Sequence, residues 1–231
     1  MASQGERQRR RVIGFAHRGA PAPGVPENTL PAFRAAQEAG ATALESDAWL
    51  TADGTPVLVH DGYLGRWPRR RMLSALGPDQ LPPWLPTLAQ LYETCGTSAE
   101  LSLDVKDIGA ATAIVRVAKD AGAAGRLWLC GSTDELRAWR RLDPEVHLVA
   151  STQLRRGPAG SVVDEVAAAG GEVVNLRRPE WTAEHVAEVH ARGLLAFAWD
   201  VQQRELLDRL VSWGIDGVYS DSVRLLVDAL A

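Results

Sequence analysis

Short apolar runs alternate with helix-length amphipathic segments along nearly the whole chain, and this alternation constrains the fold more than any other feature. Such alternation is typical of βαβ units, which together build a parallel sheet. Eight strand–helix units can be counted when the segments 43–50 and 56–60 are treated as one excursion around the second strand. We therefore predict an α/β fold, a (β/α)8 TIM barrel, because about 230 residues suffice for eight compact units.

The first residues and one irregular segment set the predicted domain limits. Residues 1–11 are polar and basic, and the apolar run after them is too short for the core of a signal peptide. We expect a disordered leader over residues 1–11 and a single barrel domain over residues 12–231. A Pro- and Trp-rich excursion with little periodicity is expected at about residues 62–86. The first strand leads into His17 without a Gly-x-Gly-x-x-Gly motif, which argues against a Rossmann domain.

Composition and charge limit the partners and the compartment. The chain has 25 Lys and Arg against 29 Asp and Glu, a formal charge of −4 at pH 7. A net acidic chain lacks the electrostatic footprint of most nucleic-acid-binding proteins, so we expect no nucleic-acid partner. No apolar run approaches the ~18 residues that a membrane span needs. Two cysteines are too few for a disulfide framework, which favours a reducing compartment and a cytoplasmic location. The oligomeric state is left open.

Reactive side chains gather where the predicted strands end. In a barrel the carboxyl ends of the strands form the face that carries the active site. Side chains alternate along a strand, so Glu45 and Asp47 point the same way, as do Asp104 and Lys106. The residues that this placement brings toward one rim are His17, Arg18, Glu45, Asp47, His60, Asp104, Lys106 and Trp199.

These residue types point to metal-assisted phosphoryl chemistry. Two inward carboxylates are costly to bury unless a cation lies between them, and Mg²⁺ or Ca²⁺ prefers such oxygen ligands. Two histidines suit proton transfer near neutral pH. Arg18 and Lys106 would add positive charge for the non-bridging oxygens of a phosphate.

Other candidate residues are predicted to be structural. His147 lies in a predicted strand, and His185 and His190 lie on a predicted helix face. The run Arg69–Arg71 in the excursion favours a solvated loop over a phosphate clamp.

Several ordered motifs resemble one known family. They are His17-Arg18-Gly19, Glu27-Asn28-Thr29, Leu44-Glu45-x-Asp47, Thr51-x-Asp53-Gly54 and His60-Asp61, followed by Leu103–Lys106, Trp199 and the segment 214–221. In this order they resemble the glycerophosphodiester phosphodiesterases, which belong to the phosphatidylinositol-phospholipase-C-like phosphodiesterase superfamily. The resemblance is densest over residues 13–61 and extends over the whole predicted barrel.

The resemblance implies a function and a role for each candidate residue. The implied enzyme is a TIM-barrel hydrolase that depends on a divalent cation and cleaves glycerophosphodiesters to glycerol 3-phosphate and an alcohol. By position, His17 and His60 match an acid/base pair, Glu45 and Asp47 match metal ligands, Arg18 and Lys106 match phosphate contacts, and Trp199 matches an aromatic residue of the substrate pocket. Attack by the substrate's own 2-hydroxyl and attack by water are equally compatible with this sequence.

Three departures from the family pattern keep alternatives open. Asp104 stands where the third metal ligand is usually a glutamate, and the related sphingomyelinase D group is similar in having aspartate there, so Asp104 is retained as a ligand. The excursion after His60 is short, and Trp199-Asp200-Val201-Gln202 replaces a common Trp-Thr-Val-Asn. The alternatives are a lysophospholipase D or sphingomyelinase D-like enzyme that accepts acylated, lysophospholipid-like substrates, and a barrel without catalytic activity.

Overall fold

Eight parallel strands close into a barrel in the computed structural model, which describes residues 12–19, 21–154 and 159–230. The barrel strands are β1 (Ile13–Ala16), β2 (Ala43–Leu50), β6 (Glu100–Val105), β7 (Leu127–Gly131), β8 (His147–Ser151), β9 (Val173–Arg177), β10 (Leu195–Trp199) and β11 (Gly217–Ser220). Each pairs with its neighbours in this order, and β1 closes the ring by pairing with both β2 and β11. The predicted TIM barrel is confirmed; the leader predicted at residues 1–11 lies outside the described residues.

Helices cover the outside of the barrel. They are α1 (Leu30–Glu38), α2 (Leu88–Cys95), α3 (Ala110–Asp120), α4 (Thr133–Trp139), α5 (Ala159–Ala169), α6 (Ala183–Ala191), α7 (Arg204–Trp213) and α8 (Val223–Leu230). Four of them begin at a hydroxyl side chain that accepts a hydrogen bond from a backbone N–H of the first turn, which satisfies one otherwise unpaired donor. These N-cap residues are Thr29, Thr87, Ser132 and Thr182. Within the described residues no helix has the length and apolar character needed to cross a membrane.

The excursion between β2 and α2 contains a strand within the predicted segment 56–60 and a hairpin that the sequence pattern does not predict. Strand β3 (Pro56–Leu58) returns antiparallel along the carboxyl end of β2, after a turn in which Gly54 has a φ of +79°. Strands β4 (Tyr63–Leu64) and β5 (Arg71–Met72) then form a two-stranded antiparallel hairpin. Its base packs into a small apolar cluster of Val57, Leu64, Leu73, Leu76 and Leu85. The excursion is therefore anchored beside the second barrel strand.

Aromatic rings fill the lower part of the barrel interior. The ring centroids of Phe15 and Tyr219 are 4.8 Å apart, and those of Trp128 and Phe197 are 5.4 Å apart. Gly217 makes room for this packing, because a Cβ there would lie 2.6 Å from the Phe197 ring. Along each strand every second residue points into the barrel. The inward residues that follow this ring layer, toward the carboxyl ends of the strands, surround the candidate active site.

Candidate active site

A cavity of about 520 Å³ opens at the carboxyl end of the barrel. Its volume is that of a typical small-molecule site. All eight residues predicted from the sequence line it: His17, Arg18, Glu45, Asp47, His60, Asp104, Lys106 and Trp199. The structure thus brings together side chains from four barrel strands or their following loops, together with the excursion.

His17 follows β1 directly, in a one-turn 3-10 helix that ends at Gly19. Its Nδ1 lies 2.6 Å from Oδ1 of Asp221, the residue directly after β11. Its Nε2 lies 3.8 Å from Oε2 of Glu45. A carboxylate only accepts hydrogen bonds, so Asp221 favours the tautomer with the proton on Nδ1 and leaves Nε2 as the nitrogen near the buried carboxylate.

His60 lies two residues after β3. The sequence pattern predicts that this strand ends at His60, but in the structure it ends at Leu58. Its Nδ1 lies 3.0 Å from Oδ1 of Asp61. The indole N–H of Trp49 donates to the backbone carbonyl of His60 at 3.2 Å, which fixes the turn against β2. Both cavity histidines therefore have a carboxylate at Nδ1.

Three carboxylates line the cavity, two from β2 and one from its paired neighbour β6. Asp47 and Asp104 are register partners, and Glu45 lies one inward position below Asp47. Glu45 and Asp47 are buried, with 6% and 2% of their surface exposed, whereas Asp104 is partly exposed. Burial and the charge of Asp47 raise the pKa of Glu45 well above its usual range. Burial also raises the pKa of Asp104, although Lys106 opposes that shift.

Two cations of the chain contact these carboxylates. Lys106 Nζ donates to Oδ2 of Asp104 and lies 3.3 Å from Oδ1 of Asp47. Partial burial acts to lower the pKa of Lys106, but Asp104 and Asp47 outweigh it and raise the pKa, so the side chain stays charged. Arg18 Nε lies 3.3 Å from Oδ2 of Asp47, and its backbone N–H donates to Glu45 at 3.0 Å.

Asn28 holds Asp47 from outside the cavity. Its side-chain N–H donates to Oδ2 of Asp47 at 3.2 Å, and its carbonyl oxygen accepts from the Ser46 hydroxyl at 2.6 Å. Asn28 is buried and has a φ of 55°, a left-handed conformation that Asn tolerates better than most residues. Asn28 belongs to the motif Glu27-Asn28-Thr29, but the sequence pattern does not predict its contact with Asp47.

The chemistry of this donor set fits a hard divalent cation. Glu45, Asp47 and Asp104 offer only carboxylate oxygens, and a cation beside them would offset the burial that raises the pKa of Glu45 and of Asp104. Across residues 12–19, 21–154 and 159–230, however, no three His, Cys, Asp or Glu side chains are grouped closely enough to hold a metal. In this arrangement the Lys106 ammonium group is the cation that contacts both Asp47 and Asp104.

The cavity floor and part of its wall consist of residues that sequence reasoning missed. The Ser102 and Tyr219 hydroxyl groups are 3.0 Å apart, and Asn175 Oδ1, which is buried, has no hydrogen-bond partner among the described residues. Asp221 is further held by Gln202, whose amide donates to Oδ2 at 2.8 Å. Alternation along β6, β9 and β11 is the signal that could have found Ser102, Asn175, Tyr219 and Asp221. Each lies two residues from another cavity or core position in the same strand or directly after it, and positions two apart point to the same face.

The rim opposite the histidines carries its own ion pair. Strand β9 extends to Arg177, which is the register partner of Trp199. The Arg177 guanidinium lies 5.5 Å from the Trp199 ring centroid, and its Nη2 lies 3.1 Å from Oδ2 of Asp200. The exposed face of Trp199 thus has a cation of the chain itself beside it.

The other three histidines hydrogen-bond elsewhere. His147 pairs with Glu172 at 2.9 Å, His190 pairs with Asp216 at 2.7 Å, and His185 contacts the backbone carbonyl of Glu180 at 2.8 Å. None of the three lines the cavity. The fold and this charged cavity together define a (β/α)8-barrel enzyme with its site at the carboxyl end of the strands.

Comparison with known proteins identifies the family. The glycerophosphoryl diester phosphodiesterase family matches residues 17–82 and 90–225. A Mycobacterium tuberculosis protein named "Probable glycerophosphodiester phosphodiesterase 2" is 29% identical over 249 residues, covering 94% of this chain and 90% of that protein. The chain belongs to the glycerophosphoryl diester phosphodiesterase family and is a phosphoric diester hydrolase.

Solved structures share the whole fold. The glycerophosphodiester phosphodiesterase of Thermotoga maritima has a TM-score of 0.81 at 24% identity, covering 94% of this chain and 97% of that one. An Oleispira antarctica phosphodiesterase, solved in complex with the product sn-glycerol-3-phosphate, also has a TM-score of 0.81, at 22% identity, covering 94% of this chain and 95% of that one. At these identities the likeness establishes the barrel.

Proposed function

We propose that this barrel, as a single domain over residues 12–231, hydrolyses glycerophosphodiesters to glycerol 3-phosphate and an alcohol, with His17 and His60 as acid and base. The observation that carries the proposal is the presence in one cavity of two histidines, each paired at Nδ1 with a carboxylate. The product bound to the Oleispira antarctica relative supports the same substrate class.

In the proposed reaction the two histidines divide the proton transfers. One imidazole takes the proton of the attacking hydroxyl, which belongs either to the substrate's own glycerol or to water. The other protonates the oxygen of the departing alcohol as its bond to phosphorus breaks. If the glycerol hydroxyl attacks, this step forms a cyclic phosphate, which water then opens to glycerol 3-phosphate with the two histidines in reversed roles. Asp221 and Asp61 orient the rings and stabilise the imidazolium form, which is created on the histidine that accepts a proton and consumed on the histidine that donates one.

The cations and carboxylates of the cavity are proposed to hold the phosphate. Arg18 and Lys106 lie beside Asp47, where their charges can compensate the non-bridging oxygens of a phosphodiester. Glu45, Asp47 and Asp104 are the residues that would hold Mg²⁺ or Ca²⁺. Such an ion, when bound, supplies Lewis-acid stabilisation of the charge that develops on phosphate oxygens. Trp199 is proposed to contact an organic group of the substrate at the rim.

The direct test is release of glycerol 3-phosphate from glycerophosphodiesters by the purified chain with Mg²⁺, with Ca²⁺ and with excess EDTA. Turnover should require the ion, and His17→Ala and His60→Ala should each lose roughly 10²- to 10⁴-fold in kcat. His185→Gln, whose side chain lies outside the cavity, serves as the matched control and should retain activity. Normal turnover in either alanine variant would remove that histidine from the proposed mechanism.

The proposed metal site has a readout that does not depend on turnover. An ion that binds only the folded chain must raise its melting temperature, and the effect grows with ion concentration. Asp47→Asn should abolish that rise, because Asp47 is the most buried of the three carboxylates. A rise of equal size in Asp47→Asn would place the ion elsewhere.

One feature favours a second candidate, cleavage of acylated lysophospholipid-like substrates. A groove of about 230 Å³ continues from His60 along the excursion and includes Val59, Tyr63, Leu64 and Trp84 in its walls. Glu27, Asn28 and Asp61 also line this groove, and its apolar part is able to accommodate the start of an acyl chain. Comparing kcat/KM for lysophosphatidylcholine and glycerophosphocholine separates the two candidates. A higher kcat/KM for the acylated ester would favour the second.

A further inference from the structure

The tip of the β4–β5 hairpin exposes an unusually large apolar side chain. Trp67, in the turn between the two strands, has 81% of its surface exposed, and Met72 in β5 has 52% exposed. Trp84, which follows in the same excursion, is 54% exposed. Large apolar side chains that remain in water on one element are typical of surfaces that meet an apolar partner.

Four arginines surround Trp67 on the same hairpin. Arg66, Arg69, Arg70 and Arg71 are all exposed, and within the part of the chain that the structure describes none of them forms an ion pair. Arg70 instead stacks on Tyr63, with 4.0 Å between the guanidinium carbon and the ring centroid. Four unpaired positive charges within six positions form a locally basic surface on a chain whose net charge is −4.

The basic and apolar surface leads into the candidate active site. Tyr63, Gly65 and Trp84 line the groove that also contains His60, and His60 in turn lines the main cavity. Of the two acidic residues of the groove, Glu27 pairs with Arg18, and Asp61 hydrogen-bonds to His60. An anionic partner on the hairpin would therefore lie beside a proposed catalytic histidine, next to carboxylates that already have hydrogen-bond partners.

We propose that the hairpin residues 63–72, together with Trp84, dock this enzyme on membranes that contain anionic lipids. Arginines are attracted to the negative surface of such a bilayer, and tryptophan is stable at its interface because its ring is apolar and its N–H is polar. The net acidic chain and the apolar members of the surface favour a lipid partner over a nucleic acid. The inference rests on the proposed function in one respect: docking brings the cavity to substrates that derive from membrane lipids.

Vesicle binding tests the proposal without using turnover. The full chain is sedimented with vesicles of phosphatidylcholine alone and with vesicles that also contain phosphatidylglycerol. Binding should require the anionic lipid and should weaken at high salt, because charges at an exposed surface are screened. In Arg66→Gln/Arg69→Gln/Arg71→Gln, binding should fall by about 100-fold, which corresponds to about fivefold per arginine.

Trp67→Ser should weaken the same binding severalfold, since Trp67 is exposed and its removal opens no core. The matched control is Val211→Ser/Arg224→Gln, which removes one exposed apolar residue and one exposed arginine on α7 and α8. This control should bind as the wild type does. Turnover of water-soluble glycerophosphodiesters should be unchanged in all these variants, so a failure of the proposed function is detected separately.

Three results would overturn the proposal. The first is absence of wild-type binding to anionic vesicles at low ionic strength. The second is equal binding by the hairpin variants and the wild type. The third is hairpin-dependent binding of a single-stranded RNA probe with no binding to anionic vesicles, which would assign the surface to nucleic acid.

Discussion

The substitution Asp221→Asn tests whether His17 is a catalytic residue that Asp221 positions or a residue that only lines the cavity. His17 Nδ1 lies 2.6 Å from Oδ1 of Asp221, and the carboxylate can only accept a hydrogen bond. It therefore selects the tautomer that keeps Nε2 free to take a proton. An asparagine amide at position 221 can donate to Nδ1 instead, which favours the opposite tautomer and leaves the wrong nitrogen protonated.

The size of the effect follows from the exposure of the carboxylate. The same change in the buried aspartate of a Ser-His-Asp triad costs about 10⁴ in kcat, whereas loss of an outer hydrogen-bond partner of a ligating histidine costs about 10- to 100-fold. Because the Asp221 side chain is 51% exposed, water can take over part of its role. We expect a loss of about 10- to 100-fold in kcat, equivalent to about 1.4 to 2.7 kcal/mol.

The assay is steady-state release of glycerol 3-phosphate by wild type, Asp221→Asn and Gln202→Ala. The Gln202 variant removes the amide bond to Asp221 Oδ2, at 2.8 Å, and the bonds that Gln202 Oε1 accepts from the Asp221 N–H and the Ser220 hydroxyl. It keeps the carboxylate beside His17, so its kcat should change little. In Asp221→Asn the loss should appear in kcat rather than in KM, because proton transfer occurs in the transition state. A wild-type kcat in a normally folded Asp221→Asn protein would refute this account of His17.

Three further predictions address the barrel core, the pH dependence of stability and the rim. Gly217→Ala should lower the free energy of unfolding by about 1–3 kcal/mol in denaturant, because its Cβ would lie 2.6 Å from the Phe197 ring. Gly125→Ala is the control, since a Cβ there meets nothing within 4 Å. Equal losses of stability in the two variants would contradict this reasoning. The hydrogen bond to Glu172 raises the pKa of His147 above 6.5, so its stabilising contribution is full below about pH 6.5 and is lost as the pH rises through the raised pKa. His147→Gln should therefore flatten the decline of melting temperature over that window, and an unchanged slope would contradict the assignment. Arg177→Gln should increase kcat/KM for glycerophosphocholine relative to glycerophosphoglycerol by about two- to fivefold, because it frees the Trp199 indole for the choline ammonium. An unchanged ratio would show that the choline group does not reach the rim.

Features that depend on local pattern could be predicted from the sequence. The strand periodicity gives β2 its bounds, 43–50, and its alternation places Glu45 and Asp47 on one face. Because the order of parallel neighbours follows from the barrel, the approach of Asp104 to Asp47 is also predictable. The structure confirms the barrel and brings all eight predicted site residues to one cavity.

Features that depend on distant pairing could not be predicted. The contact between His17 and Asp221 joins residues 204 positions apart and depends on the register of the first and last strands. The role of Asn28 depends on a left-handed backbone conformation, which a sequence pattern does not reveal. The extension of β9 to Arg177 depends on pairing with β10 rather than on apolar periodicity, since Arg177 is itself charged.

The layered interior of the barrel has a consequence for how such a chain can change during evolution. The packed rings of Phe15, Trp128, Phe197 and Tyr219 supply much of the apolar packing in the lower interior. The rim residues Arg177 and Asp200 instead form an ion pair outside this cluster. Mutations in groups that do not touch have nearly additive effects on stability. A lineage can therefore exchange rim side chains and acquire a new leaving-group preference while the ring layer continues to support folding, so that inherited stability and novel specificity vary separately.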